Sequence, residues 1–379
     1  MDSQPHTVFQ WAIAGYKTPP EDLQGLKTDL PDVLKGFYSG NAMTARVSVL
    51  MPVFNAAATL ERAVISMVRQ TLQDWELIVV DDGSTDETPR LMAQWARRDP
   101  RIRWVRRPHR GIVASLNQGL ALARARHLAR MDADDISTAD RLEEQWSFLE
   151  RNPDIGLVGC LVEFGGDRLR YAGYARHVDW INSLRNPIEI QLGRFVESPF
   201  AHPSVMFRSD LPAKHGNYRQ GDFPEDYELW LRWLEAGVVM AKVPKVLLRW
   251  NDAPHRLSRR DPRYDLEAFY RCKAVYLARW LRREAGRRRF LVWGAGRLTR
   301  RRVGYLEKEG IRIDGYIDID DRKIGRNYQG RLVFSPNEIP SPSDVFILGY
   351  VSKPNARELI RERLVKRGFA EGSDFLLAA

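Results

Sequence analysis

Four short apolar runs between Arg46 and Arg130 alternate with stretches whose apolar residues recur at helical spacing, and that alternation leaves this chain few folds to choose from. The runs are Arg46–Met51, Trp75–Val80, 101–106 and His127–Arg130. The first two are β-branched and aliphatic with almost no polar interruption, as strands buried on both faces are. Between them, Leu60, Val64, Met67 and Val68 mark one face of a helix over 57–70, and further helices fit about 87–98 and 112–125. Consecutive parallel strands need a crossover, and an α-helix is the usual one. The pattern therefore predicts an α/β domain with a mostly parallel sheet covered by helices. Ligands of such sheets bind beyond the carboxyl ends of the strands. Phe54-Asn55, Asp81-Asp82, Arg110 and Asp132–Asp134 all fall there, so the sequence places them on one rim.

The last of these clusters is Met131-Asp132-Ala133-Asp134-Asp135, with three carboxylates in four residues. Like charges this close repel one another, and a divalent cation removes the repulsion. Mg2+ and Mn2+ take oxygen ligands, and Mg2+ is commonly held by one or two carboxylates together with substrate phosphates. The plain structural alternative is a turn, with Asp135 or Ser137 capping a helix that starts near Ala139. Its position on a shared rim favours a metal and diphosphate site.

A length of 379 residues fits two or three domains. Two cysteines, Cys160 and Cys272, exclude a disulfide framework and a cysteine zinc site and fit a reducing cytosol. No run of about 18 apolar residues suits a membrane span, and the N-terminus lacks a basic segment followed by an apolar one. The net charge of +10 fits a nucleotide-sugar diphosphate or the anionic inner face of a membrane; no nucleic-acid-binding pattern accompanies it. An arginine-rich genome would also explain it.

Residues 1–45 read as an irregular extension. After the acid turn, a helix fits 139–151, strand structure 155–164, and a short strand 204–207; the stretch 165–200 reads as irregular apart from a helix near 187–195. Glu225–Ala236 is an amphipathic helix, Val238–Trp250 is strand-rich, and an arginine-studded helix spans 263–285. The pattern predicts a helical linker over 259–286 and a smaller Rossmann-like α/β domain over 287–379, with three clear strands at 290–293, 312–317 and 344–348. There Gly294-x-Gly296-x-x-Thr299, with Asp318 about twenty residues on, follows the layout of a dinucleotide fingerprint, except that the third position is Thr. A structural or partner-binding role fits that motif better than NAD. The basic stretch from Arg279-Trp280 to Arg287-Arg288-Arg289 reads as a solvated interdomain helix or a contact for anionic lipid.

Pro52-Val53-Phe54-Asn55, Asp81-Asp82-Gly83-Ser84, Asp132-Ala133-Asp134-Asp135 and Glu225-Asp226-Tyr227-Glu228-Leu229-Trp230, with Arg110-Gly111 between the second and third, together resemble the family 2 glycosyltransferases over about residues 46–258. The resemblance implies a GT-A fold and an inverting, Mg2+- or Mn2+-dependent transfer from a nucleotide-diphosphate sugar, a UDP-sugar first, to a glycan or lipid-linked acceptor. It assigns Pro52, Phe54, Asn55, Asp82, Arg110 and Asp132 to the nucleotide, with Phe54 against the base and Asp82 on a ring N–H, while Asp81 orients the loop. It assigns Asp134 and Asp132 to the metal, with His255 as a third ligand, and Asp226 to the catalytic base with Glu225 beside it. His202 and Arg256 fall on the acceptor or diphosphate side. N-capping and helix-dipole complementation give Glu225 and Asp226 a structural use as well. The implied place of work is the cytoplasm or the inner face of a bacterial membrane, in cell-surface glycan synthesis. Two other readings are a non-catalytic nucleotide-sugar-binding or scaffold protein acting through its C-terminal domain, and a sugar nucleotidyltransferase. Pro52-Val53-Phe54-Asn55 is not the glycine-rich phosphate loop that the last normally carries.

Overall fold

The computed structural model describes residues 45–252, 256–353 and 355–379. The chain runs through β1 (Val47–Val53), α1 (Leu60–Val68), β2 (Trp75–Asp81), α2 (Thr88–Arg98), β3 (Ile102–Arg106), α3 (Ile112–Leu122) and β4 (His127–Arg130). After the acid turn come β5 (Ile136–Ser137), α4 (Arg141–Arg151), β6 (Ile155–Phe164), α5 (Ala172–Ser183), α6 (Pro187–Gly193), β7 (Met206–Arg208), α7 (Leu211–His215), α8 (Glu225–Glu235) and β8 (Val239–Trp250). The remainder is α9 (Leu266–Glu284), β9 (Arg289–Trp293), α10 (Arg297–Lys308), β10 (Ile313–Ile317), β11 (Asn327–Tyr328), β12 (Arg331–Phe334), β13 (Val345–Gly349), α11 (Ala356–Lys366) and β14 (Phe375–Leu377).

The first sheet has strand order β3-β2-β1-β4-β7-β6-β8-β5. β1 pairs in parallel with β2 on one side and β4 on the other, while β7 runs antiparallel to both β4 and β6. Every residue of β2 and all of β1 except Pro52 is buried, which is why these strands read as continuous apolar runs instead of alternating ones. Pro52 sits opposite Val80, past the last β1–β4 pair at Leu50 and Arg130, so its missing N–H breaks no ladder on that side. Because the chain moves outward from β1 to β3 and then returns to the other flank of β1 for β4, the switch point lies between β1 and β4. The register puts Val53 opposite Asp81, and the amide of Met131 donates to the carbonyl of Leu50.

The described chain divides into two compact units whose boundaries cut across the order of the sequence. One gathers the residues up to Ala175 with His202–Tyr218 and Val243–Asp252; the other gathers Arg176–Ala201, Arg219–Lys242 and the residues from Ala253 on. The reason lies in the core of the second unit. Phe195, Tyr227 and Leu231 share one buried cluster with Leu277 of α9, Phe346 of β13 and Leu376 of β14. Composition and periodicity do not reveal such a long-range partnership. The second unit's sheet has order β11-β12-β10-β9-β13-β14, parallel except for β11. It adds β11, β12 and β14 to the three strands legible in the sequence; these have two to four residues, too few for an alternation to register. Helix α5 likewise occupies part of the stretch that reads as irregular.

The glycine turn after β9 is closed from within. Asp318 accepts the Ala295 amide at 2.9 Å and the Asp320 amide at 3.0 Å, and Lys323 Nζ stands 3.1 Å from the same carboxylate. This is the structural use of the fingerprint-like motif.

Helix α8 is buried almost all round: Glu225 and every residue from Tyr227 to Leu234 lie inside, including Glu228 and Arg232. Glu228 receives Arg232 Nε at 2.9 Å and Nη2 at 3.0 Å, one turn along, together with the Tyr276 hydroxyl at 2.6 Å. Removing one partner of such a pair strands the other charge in a low-dielectric interior. Glu228→Ala is therefore expected to cost about 3–5 kcal/mol in urea denaturation, whereas Glu228→Gln, which keeps an acceptor, costs clearly less.

Candidate active site

The rim of the first sheet is built by two loops laced together. Asn55 sits in the left-handed region at φ 48°, a conformation that asparagine tolerates better than most residues. Its amide donates to Ser84 Oγ at 2.9 Å, and its side-chain oxygen accepts the Thr85 amide at 2.8 Å. The next two amides, of Ala56 and Ala57, donate to Thr88 Oγ1 and Asp86 Oδ2 at 2.9 and 3.0 Å. The loop after β2 thus fixes the loop after β1, leaving Phe54 48% exposed.

Asp81 and Asp82 are both buried. Asp81 accepts the Ser84 amide at 2.9 Å, a tight turn closed by an aspartate. Asp82 accepts the Arg110 amide on Oδ1 at 3.0 Å and the Gly111 amide on Oδ2 at 2.7 Å, and His109 Nδ1 lies 2.8 Å from the same Oδ2. Both carboxylates organise loops, so the loop-orienting role extends to Asp82. His109, which the sequence reading did not single out, stacks on Phe54 with ring centroids 4.3 Å apart and planes 29° from parallel. Its only sequence signal is its place beside Arg110-Gly111, beyond the end of β3. The Arg110 side chain is exposed on the same loop.

Asp132, Asp134 and Asp135 follow β4, and each offers an oxygen within 4.8 Å of the others. Their charge is balanced from behind. Arg130, 1% exposed, donates to Asp132 Oδ1 at 2.6 Å and also to the Met131 carbonyl. Arg141, fully buried in α4, donates to the Arg130 carbonyl at 2.7 Å; burial pulls its pKa down, and Asp135 is among the anions that hold it up. Asn251 anchors the turn from β8, its amide on Asp135 Oδ1 at 2.8 Å and its side chain on the Asp134 carbonyl at 2.7 Å. Three clustered carboxylates with two cations leave a net negative, all-oxygen donor set, which fits a hard divalent cation.

His202 is buried beside this turn, in the 3-10 turn that leads to β7. Its Nε2 lies 2.9 Å from the Tyr218 hydroxyl, and the Tyr218 carbonyl accepts Asn117 Nδ2 at 3.0 Å. Burial, with Arg130 nearby, holds its pKa well below the ordinary value, so the ring is neutral at physiological pH.

In the second compact unit, Glu225 is 1% exposed and accepts the Tyr264 hydroxyl at 2.6 Å; burial pushes the tyrosine pKa up, and the Glu225 and Asp226 carboxylates add to the rise. Asp226, half-buried, accepts the Tyr227 amide at 2.7 Å in the first turn of α8. From the start of α8 to Leu234 it is the one residue that is not fully buried. Pro224 precedes the helix and supplies no side-chain cap. Arg256 is half-buried, and its carbonyl accepts the Arg259 amide at 3.0 Å. His255 lies outside the described residues.

Together, a switch-point rim, an exposed aromatic and an acid turn make this an α/β domain with a candidate ligand site at the carboxyl ends of its parallel strands. The family model of glycosyl transferase family 2 matches residues 48–214. The amylovoran biosynthesis glycosyltransferase AmsE of Erwinia amylovora is 33% identical over 209 residues, covering 53% of this chain and 74% of that one. The O-antigen biosynthesis glycosyltransferase WbnJ of Escherichia coli is 26% identical over 246 residues, covering 62% of this chain and 89% of that one. The chain belongs to the family 2 glycosyltransferases. The structure of S. aureus TarS residues 1–349 in complex with UDP-GlcNAc aligns with a TM-score of 0.50 at 15% identity, over 62% of this chain and 67% of that one, and the fold is GT-A.

Gly83 lies where the loop after β2 passes close to the 107–109 backbone. Its φ is +82°, and a Cβ there would lie 2.9 Å from the His109 amide nitrogen and 3.2 Å from the Arg107 carbonyl. Gly83→Ala is expected to cost about 1–3 kcal/mol of stability, the cost of forcing a side chain into that conformation. It is also expected to push the His109–Gly111 loop away from Phe54; unchanged urea midpoints would contradict this.

Proposed function

We propose that this glycosyltransferase is inverting and metal-dependent, and that it passes a sugar from a nucleoside-diphosphate donor, a UDP-sugar first, to a hydroxyl of a glycan or lipid-linked acceptor in bacterial cell-surface glycan synthesis. The observation that carries the reading is the trio Asp132, Asp134 and Asp135, with oxygens within 4.8 Å of one another at the carboxyl end of β4. The biosynthetic names of AmsE and WbnJ support the place in surface-glycan synthesis. No helix among the described residues is long and apolar enough to cross a membrane; the proposed setting is the cytoplasmic face, with peripheral attachment through the basic surface.

In this reading the base of the nucleotide rests on Phe54, whose far face His109 supports. Asp82 holds the 109–111 loop in place and offers its remaining acceptor capacity to a ring N–H. Pro52 and Asn55 set the direction of the loop that carries Phe54, and Arg110 meets the diphosphate. Asp134 and Asp132 would hold Mg2+ or Mn2+, and Arg130 fixes Asp132 in place. A bound divalent cation supplies positive charge against the leaving diphosphate. His202, neutral, contributes a hydrogen bond near the turn without adding charge, and Arg256 lies on the diphosphate or acceptor side.

Asp226 takes the proton of the acceptor hydroxyl as it attacks. Its half-buried position in an otherwise enclosed helix lets an acceptor reach it, whereas Glu225, held by Tyr264, orients the start of the helix. One base and one displacement invert the anomeric centre, with no carboxylate nucleophile.

Asp226→Asn is expected to lower transfer by about 10²–10⁴-fold, the usual worth of a general base, while Mn2+-dependent UDP binding stays within twofold. Equal loss of both would remove Asp226 from the base role. Asp134→Ala is expected to abolish the Mn2+-dependent part of UDP affinity in calorimetry; an unchanged affinity with Mn2+ would contradict its assignment as a ligand.

A further inference from the structure

One buried cation in the second compact unit has no part in the chemistry above. Arg194 follows α6, is 7% exposed, and has its carbonyl held by the Tyr227 hydroxyl at 2.6 Å. Its guanidinium carbon lies 4.4 Å from the ring centre of Phe195 and 5.6 Å from that of Trp280. Of its five N–H donors, one bonds to protein among the described residues, at the Gln191 carbonyl. Among the described residues it forms no ion pair: the nearby Glu235 is paired with Arg279 at 3.1 Å and Glu284 with Arg283 at 2.7 Å. Burial, with the neighbouring Arg283 cation, pulls its pKa down to about 10, and the Glu284 carboxylate offsets only part of that.

Arg194 lines a cavity of about 350 Å³ whose other walls include Phe195, Leu231, Trp280 and Leu376, with Gln191, Glu235 and Glu284 among its polar residues. A buried guanidinium with no carboxylate in direct contact is costly, and its planar fork matches a carboxylate or a phosphate. The volume lies at the small end of ligand sites, about 300–1,000 Å³, which suits a single ring. Trp280 and Phe195 supply flat apolar walls, and the amide and carboxylates supply partners for hydroxyls.

We propose that this cavity binds an anionic monosaccharide, phosphorylated or carboxylated, free or at the end of a glycan, with its anionic group on Arg194 and its ring against Trp280. The inference does not depend on which donor or metal the acid turn takes.

The test is calorimetric titration of the full chain with glucose 6-phosphate, glucuronate, glucose and inorganic phosphate. Glucose 6-phosphate or glucuronate is expected to bind at least about tenfold more tightly than glucose and than inorganic phosphate, and whichever of the two binds identifies the anion as phosphate or carboxylate. Arg194→Gln and Trp280→Leu are each expected to weaken that binding by about tenfold or more while Mn2+-dependent UDP binding is unchanged. Should Arg194→Gln fail to fold, Trp280→Leu carries the comparison. The proposal is overturned if neither sugar binds better than glucose, if inorganic phosphate binds as well as glucose 6-phosphate, or if the folded variants bind as tightly as the parent. Loss of UDP binding in the parent, with sugar binding intact, would count against the reading of the acid turn and leave this one standing.

Discussion

The pairing of β1 with both β2 and β4 is what the site depends on. Fixing Val53 opposite Asp81 and Leu50 opposite Arg130 brings Phe54, Asp82 and the acid turn out at one edge, although they lie up to eighty residues apart in the chain. A slip of one residue would turn each strand's side chains to the opposite face. The register is secured by burial, since both strands are enclosed, and by hydrogen bonds that continue past the strand ends: the Asp82 amide donates to the Val53 carbonyl and the Met131 amide to that of Leu50. The rim is therefore made rigid before any ligand arrives, and preorganisation of this kind reduces the ordering cost of binding.

Charge is the second constraint. Three carboxylates in four residues would repel, yet Arg130 and Arg141 stand behind them with almost no access to water. The buried guanidinium groups need anions as much as the carboxylates need cations, so each set lowers the cost of burying the other. The balance stays negative by one, which leaves the turn attractive to a divalent cation. The second compact unit meets the same problem differently. There Glu228 is matched by Arg232 and Tyr276, while Arg194 has aromatic neighbours and a cavity in place of a direct ion pair.

The alternation of strands and helices and the acid turn were legible because both are local: a period of 3.6 residues, a β-branched run and three adjacent aspartates show in a short window of sequence. His109 and Arg141 were not. His109 matters because β3 ends beside β2, and Arg141 because α4 carries it to the Arg130 carbonyl at the end of β4; both partnerships are tertiary. The short strands β11, β12 and β14 carry too few residues for a pattern and take shape from the neighbours they pair with. The near-complete burial of α8 was legible only in part: the sequence reads as an amphipathic helix, and the burial of Glu228 and Arg232 depends on their own pairing and on Tyr276. Asp226 gains its distinction from that burial, as an accessible acid on a helix that is otherwise enclosed.

The measurement that bears most directly on the central claim is thermal stability of the intact protein with UDP, GDP, dTDP or CDP, each in Mn2+ or in EDTA. A ligand that binds only the folded state raises stability by RT ln(1 + [L]/Kd). The account predicts a rise with one nucleotide diphosphate, UDP first, that disappears in EDTA. A rise of the same size in EDTA, or none with any nucleotide in Mn2+, would contradict a metal-diphosphate site at Asp132 and Asp134.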